Sequence, residues 1–360
     1  MLPSYQTQFD EKLDRLKQLL APYSDVTPSE IKSSQIGYRQ RVEFRIWHEG
    51  DIASYAMYKP GTKELYCLDS FDPAAPVIGD LMPKLLAKLN ANPELKNRLF
   101  SIEFLSTLSG ELLVTLIYHR PLGDDWLEQA KRLETEFSIQ IIGRSRKQKL
   151  CLGQDYVTEK LEIDGRTFQF QQIEGSFTQP NAAVNREMIS WVLSQVGNQT
   201  GNQETDLLEL YCGNGNFTVP LANRFRQVFA TEISKNSIRA LNWNIETNKI
   251  DNLICARLSA EEMGDALEKV RPFRRLADID LDSYSFSHIL VDPPRAGLDA
   301  KTLEFVQGFD YIIYISCNPE TLAANLKQIS QSHEVVTAAL FDQFPFTPHM
   351  ESGVYLRKKA

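Results

Sequence analysis

From residue 207 onward the chain alternates short apolar runs with helical patterns, and few folds satisfy that alternation. Residues 207–211 read as a strand, Cys212-Gly213-Asn214-Gly215-Asn216 as a glycine turn, and 217–225 as a helix. A strand at 227–231 ends in Glu232. A helix over 237–248, strands at 253–257, 287–291 and 311–315, and a helix over 319–330 follow. Strands at 335–341 and 353–357 close the series. Runs this apolar suit strands buried on both faces, as in a parallel sheet covered by helices on either side. Residues 171–360 are therefore expected to form an α/β doubly wound, Rossmann-like domain that binds ligands at the carboxyl ends of its strands.

Ahead of residue 170 the pattern differs. Phe9, Leu13, Leu16 and Leu20 fall at helical spacing. Around residues 41–47 the chain alternates in the strand sense: Val42, Phe44 and Ile46 take one face, Arg41, Glu43, Arg45 and Trp47 the other. Further strands are expected at 55–59, 65–68, 101–105, 111–119 and 138–142, with turns at Pro60-Gly61 and Ser109-Gly110. Helices are expected over 77–89 and from an N-cap at Asp124 or Asp125 to about Phe137. Asp164-Gly165 marks a hairpin across 161–170. Mixed elements without regular alternation predict an α+β domain over residues 1–170. The polar stretch Gly197-Asn198-Gln199-Thr200-Gly201-Asn202-Gln203-Glu204 reads as a flexible surface loop.

With 360 residues, 42% apolar and 24% charged, the chain can build two cores. No run approaches the roughly 18 apolar residues of a membrane span, and the amino terminus carries no secretion pattern. Cys67, Cys151, Cys212, Cys255 and Cys317 are scattered and never form a C-x-x-C pair. That argues against disulfides, zinc and iron–sulfur clusters, and fits a reducing compartment. A cytoplasmic, metal-free monomer without membrane contact or obligate protein partner is expected. The net charge of -8 argues against nucleic acid at first sight. Yet Arg144, Arg146, Lys147 and Lys149 place four cations within six residues, which suits phosphates or, equally, a solvated face. The Arg41 and Arg45 face suits unpaired bases and phosphates, or else a half-buried sheet laced with salt bridges. Phe100 and His119 are candidate stacking partners there.

Chemistry concentrates at the strand ends. The glycine turn alone is a weak signal, but Glu232 closes the next strand nineteen positions after Gly213. A carboxylate there can accept from ribose hydroxyls. Thr218 stands where a dinucleotide fold wants a third glycine, so the ligand has a ribose and no pyrophosphate; S-adenosylmethionine fits. Asp292-Pro293-Pro294-Arg295 ends another strand at the same edge. Cys317, in Ser316-Cys317-Asn318-Pro319, ends the 311–315 strand and reads either as a nucleophile or as a buried structural cysteine. Glu351, expected just ahead of the last strand, is a candidate base or a solvated loop acid, with His349 the alternative base. Methylating C5 of a uracil needs such a pair: a thiolate adds to C6, and a base later removes the C5 proton.

These motifs together resemble the RNA uracil-C5 methyltransferases: Leu207-Leu208-Glu209-Leu210-Tyr211-Cys212-Gly213-Asn214-Gly215-Asn216-Phe217, Asp292-Pro293-Pro294-Arg295, Ser316-Cys317-Asn318-Pro319 and His349-Met350-Glu351. Phe177-Thr178-Gln179-Pro180-Asn181-Ala182-Ala183 and Arg41-Val42-Glu43-Phe44-Arg45-Ile46-Trp47 extend the resemblance over nearly the whole chain. It implies Cys317 as nucleophile, Glu351 as proton acceptor, and Gln179, Tyr211, Asn216, Glu232 and Asp292 around S-adenosylmethionine. It also implies an amino-terminal RNA-binding domain, with Arg295 an RNA contact beside the cations and rings above. Ribosomal-RNA members typically carry an amino-terminal β-barrel, a cysteine cluster, or both. Their absence favours tRNA, with the T-loop uridine at position 54 as target. The same reaction on ribosomal RNA, or an RNA-folding role that needs no methylation, are the competing readings.

Overall fold

The computed structural model describes residues 4–59, 61–197 and 204–360. Most of the stretch expected as a loop at 197–204, and Pro60 of the Pro60-Gly61 turn, lie outside the described residues. The chain forms two compact units, and they do not follow a single cut at residue 170. One comprises Met1–Ser33, Leu161–Phe170 and Ala183–Ala360; the other comprises Ser34–Lys160 and Gln171–Ala182. The cause is packing between residues far apart in sequence. Helix Tyr5–Leu20 buries Phe9, Leu13, Leu16 and Leu20 in one core with Leu208, Ile312 and Leu326. In the other unit, the Gln40 amide donates to the Pro180 carbonyl at 2.7 Å.

The first unit is built on an eight-stranded sheet. Its parallel core runs Leu253–Ala256, Gln227–Thr231, Asp206–Leu210, Phe286–Val291, Tyr311–Ser316. Strand order reverses between Asp206–Leu210 and Phe286–Val291, so the glycine turn and Asp292 flank the switch point where such sheets bind ligands. Glu351–Lys358 then pairs antiparallel between Tyr311–Ser316 and His333–Phe341. Ser29–Ile31 adds an edge strand parallel to His333–Phe341. Glu351 is the first residue of the last strand rather than a loop residue before it. The helix expected over 217–225 is only Thr218–Leu221 followed by a 3-10 turn, Ala222–Arg224. Asn252 Nδ2 lies within hydrogen-bonding distance of the Ala222, Phe225 and Arg226 carbonyls (2.7–3.3 Å), satisfying acceptors there without more helix.

The second unit holds a seven-stranded sheet in the order Leu65–Cys67, Ile52–Tyr58, Arg41–Glu49, Leu99–Ser106, Leu112–Tyr118, Gln140–Ser145, Gln148–Cys151. All neighbours are antiparallel except Leu112–Tyr118 with Gln140–Ser145. Helices Pro76–Ala91 and Asp124–Phe137 pack Ile78, Met82, Leu85 and Trp126 against Val42, Phe44 and Ile46. The second helix is capped at Gly123, not at Asp124 or Asp125; both acids sit inside its first turn, where they favour the helix dipole without a side-chain cap bond. The 161–170 hairpin forms as expected, with Asp164 and Gly165 both at positive φ (51° and 74°).

Candidate active site

Register decides what meets at the carboxyl edge of the first unit. Ser316 pairs with Ser352 across antiparallel strands, so one step further sets Cys317 opposite Glu351. Asn318 Nδ2 donates to the Arg295 carbonyl at 3.0 Å, and Thr321 Oγ1 donates to it at 3.3 Å. The cysteine turn and the Asp292–Arg295 turn are thereby tied together. Arg295 Nη2 lies 3.4 Å from Nδ1 of His349, which is exposed. Glu351 is 4% exposed, and its Oε2 has no hydrogen-bond partner.

The electrostatics follow from burial. Burial, and then the carboxyls of Glu351 and Asp292, push the half-buried Cys317 thiol up to about 11, with Arg295 opposing. Burial takes Asp292 to about 7. Burial and Asp292 hold Glu351 well above the usual carboxylate range, again eased by Arg295. The edge therefore offers a thiol, two carboxyls that burial holds above the usual carboxylate range, and one cation that moderates the thiol and Glu351.

Beside it lies the glycine turn. Tyr211 adopts φ +60°, costly for a residue with a ring. Gly215 combines φ +85° with close packing, since a Cβ there would meet Leu241 Cδ1 at 2.4 Å. A Cβ on Gly213 would meet nothing, so its backbone stays open to a ligand. Glu232 accepts from the Gly213 amide (3.1 Å) and from the Ile233 and Ser234 amides (2.7 Å each). A carboxylate has about four acceptor positions, so three are spent on backbone and one remains for a ribose hydroxyl. Tyr211, Thr231, Glu232, Ile233, Leu258 and Ser259 line a pocket here, with Ile233 and Leu258 as apolar walls. An acidic ribose acceptor between apolar walls, beside an open glycine backbone, fits an adenosine-bearing ligand such as S-adenosylmethionine. Asn216 is not among the residues lining this pocket; its amide is paired with Asn185 at both ends (2.7 and 2.8 Å).

Asn185, Ile233 and Leu258 escape sequence reasoning, although the last two follow strand ends as Tyr211 does. Glu209 escapes it too: it is fully buried just before the turn, and burial holds its carboxyl well above the usual range. Gln179 belongs to the second unit, where its Oε1 is shielded and has no hydrogen-bond partner.

In the second unit the expected RNA contacts divide. Phe100 is the extra residue of a β-bulge between Leu99 and Ser101. The Arg45 guanidinium lies 3.4 Å from its ring centre, and the His119 ring stacks at 3.9 Å. Both separations are too short for one face, so Phe100 is sandwiched, and the free stacking surface belongs to His119, which is exposed. Arg41 is engaged by Glu103 and the Ser176 carbonyl. Arg144 forms a bidentate pair with Glu174, 2.6 Å on both arms, and Lys149 lies 3.2 Å from the same carboxylate. Burial alone would raise Glu174, but Arg144 and Lys149 hold it below its ordinary value. Arg146 and Lys147 are exposed at the hairpin turn.

Among the described residues, no group of three or more His, Cys, Asp or Glu could hold a metal, and no helix is long and apolar enough to cross a membrane. The chain matches the family model described as tRNA (Uracil-5-)-methyltransferase over residues 4–359. A tRNA/tmRNA (uracil-C(5))-methyltransferase of Pseudomonas putida is 51% identical over 357 residues, covering 99% of this chain and 98% of that protein. One of Azotobacter vinelandii is 52% identical, covering 99% and 97%. The fold is also that of the Pyrococcus abyssi tRNA (uracil-54, C5)-methyltransferase solved with S-adenosyl-L-homocysteine. The TM-score is 0.73 at 19% identity, over 98% of this chain and 83% of that one. The chain belongs to the tRNA (uracil-5-)-methyltransferase family, and is an S-adenosylmethionine-dependent enzyme.

Proposed function

We propose that this enzyme methylates C5 of the T-loop uridine of tRNA, position 54, through a covalent bond between Cys317 and C6. The observation that carries the reading is the Ser316–Ser352 register, which sets Cys317 across from Glu351 at the ligand-binding edge. The Cys317 thiolate adds to C6, and the C5–C6 π electrons move into an enolate toward O4. S-adenosylmethionine supplies the methyl group that C5 then takes. Glu351, as carboxylate, removes the C5 proton; the C–H electrons restore C5=C6 and expel the thiolate, and the proton leaves to water. Arg295, beside both groups, favours the charged forms of Cys317 and Glu351. Asn216, Tyr211, Glu232 and Asp292 would hold the methyl donor. The named relatives act on tRNA and tmRNA, which supports tRNA and a cytoplasmic setting.

The substrate half is tested by labelled methyl transfer to a T-arm hairpin transcript. A hairpin with uridine at the target position should be methylated, and its cytidine counterpart should not. Transfer to ribosomal RNA but not to the hairpin would overturn the T-loop reading.

For the RNA surface, replacing Arg146 and Lys147 by Ala should lower the slope of log affinity against log salt by about 1.4, at roughly 0.7 per phosphate contact. Arg144→Ala should act differently. It strips a partner from Glu174, whose side chain is 3% exposed, and should cost on the order of 1–3 kcal/mol of stability. Salt-titrated binding and thermal melts separate the two; an unchanged slope for the Arg146/Lys147 variant would make that turn a solvated face.

A further inference from the structure

The opening helix is attached both to the core and to the segment preceding Glu351. Residues 342–350 join the last two strands, contain Pro345 and Pro348, and form no regular structure. Four of their backbone groups are met from helix Tyr5–Leu20, and others from within the segment and from Ile31 and Phe341. Lys12 Nζ lies 2.6 Å from Asp342 Oδ1 and donates to the Phe344 carbonyl at 2.9 Å; the two side chains are 4% and 0% exposed. Gln8 uses both ends of its amide, Nε2 donating to the Thr347 carbonyl (3.3 Å) and Oε1 accepting from the Phe346 amide (3.1 Å). Arg15 donates to the Pro348 carbonyl at 3.3 Å and pairs with Glu320, on the helix that follows Cys317. The Tyr5 ring packs edge-on to Phe346, itself at φ +58°. Positions 5, 8, 12 and 15 share one helix face.

We propose that Gln8, Lys12 and Arg15 are positioning residues, and that the opening helix holds residues 342–350 in the one conformation that aims Glu351 at the C5 proton. Four features carry this. Glu351 Oε2 has no partner to orient it, so its aim depends on the backbone that delivers it. That backbone has two prolines and takes four of its hydrogen bonds from the helix. A fully buried Lys–Asp pair adds little to stability, since desolvation offsets the attraction, but it tolerates little displacement. Arg15, reaching from Pro348 to Glu320, links the segment before Glu351 to the helix after Cys317.

The inference rests on Glu351 being the proton acceptor. If the helix aims Glu351, loosening it slows removal of the C5 proton more than formation of the Cys317 adduct. Misplacement of a catalytic group by about 1 Å can cost up to about a hundredfold. In the full-length enzyme with tRNA and labelled S-adenosylmethionine, Gln8→Ala and Arg15→Ala should lower turnover about tenfold or more. The methyl-bearing enzyme–RNA adduct should build up on denaturing gels, as for Glu351→Gln, while S-adenosylmethionine affinity stays unchanged. Lys12→Met should do the same more strongly; should it fail to fold, the other two variants, one on the exposed flank, still decide. Lower turnover without adduct build-up, or normal turnover in both Ala variants, would overturn the proposal while Glu351→Gln still traps adduct. If Glu351→Gln traps none, the Glu351 reading falls and this one with it.

Discussion

Cys317→Ala should abolish methyl transfer, by on the order of 10⁴-fold or more, and leave S-adenosylmethionine binding intact. Without the S–C6 bond, C5 carries too little electron density to take a methyl group, and no neighbouring side chain can substitute for sulfur. The fold should survive, since Cys317 is only half-buried and sits after the last residue of its strand. The free thiol is pushed up to about 11, so only a small share is thiolate near neutral pH. Below that value each unit of pH raises the thiolate share about tenfold. The second-order rate should therefore climb from pH 6 to 9, with Asp292, near 7, deprotonating in the same direction. A flat profile over that range, or residual turnover of a few percent in Cys317→Ala, would return Cys317 to a structural role.

The strands of the first unit are legible because they are buried on both faces. Gln227–Thr231 falls where its apolar run does, and most of the others shift at one end or both by a residue or two. Alternation over residues 41–47 is equally direct, with Val42, Phe44 and Ile46 in the core. What escapes the sequence is long-range. Nothing local tells that Leu13 shares a core with Ile312, or that Glu174 neutralises Arg144 and Lys149. Ser29–Ile31 is too short and polar to read as a strand, yet it pairs with His333–Phe341. In the candidate site, the placement of Cys317, Glu351 and Glu232 at one sheet edge is legible because each ends or begins an apolar run. Asn185 is not, because it pairs with Asn216 from a helix 31 positions earlier.

Glu351→Gln should stop the reaction after methyl transfer rather than before it. The amide keeps the shape of the side chain, and the thiol remains, so addition to C6 and uptake of the methyl group proceed. An amide is far too weak a base to take the C5 proton, and elimination of the sulfur is blocked. Burial and Asp292 hold the native carboxyl well above its ordinary range, which would make Glu351 a stronger base once ionised, a basicity an isosteric amide lacks. Turnover should fall by about 10²–10⁴-fold, the usual range for a lost general base, with RNA and cofactor binding retained. His349 is the competing base, and its exposed ring beside Arg295 gives it a testable claim; His349→Gln should eliminate sulfur normally. The decisive measurement is the mass of the Glu351→Gln complex after nuclease and protease digestion. It should show the peptide containing Cys317 bearing a uridine nucleotide with one added methyl group. An adduct on any other residue, an adduct lacking the methyl group, or none despite intact RNA and cofactor binding would contradict covalent catalysis by Cys317 resolved by Glu351.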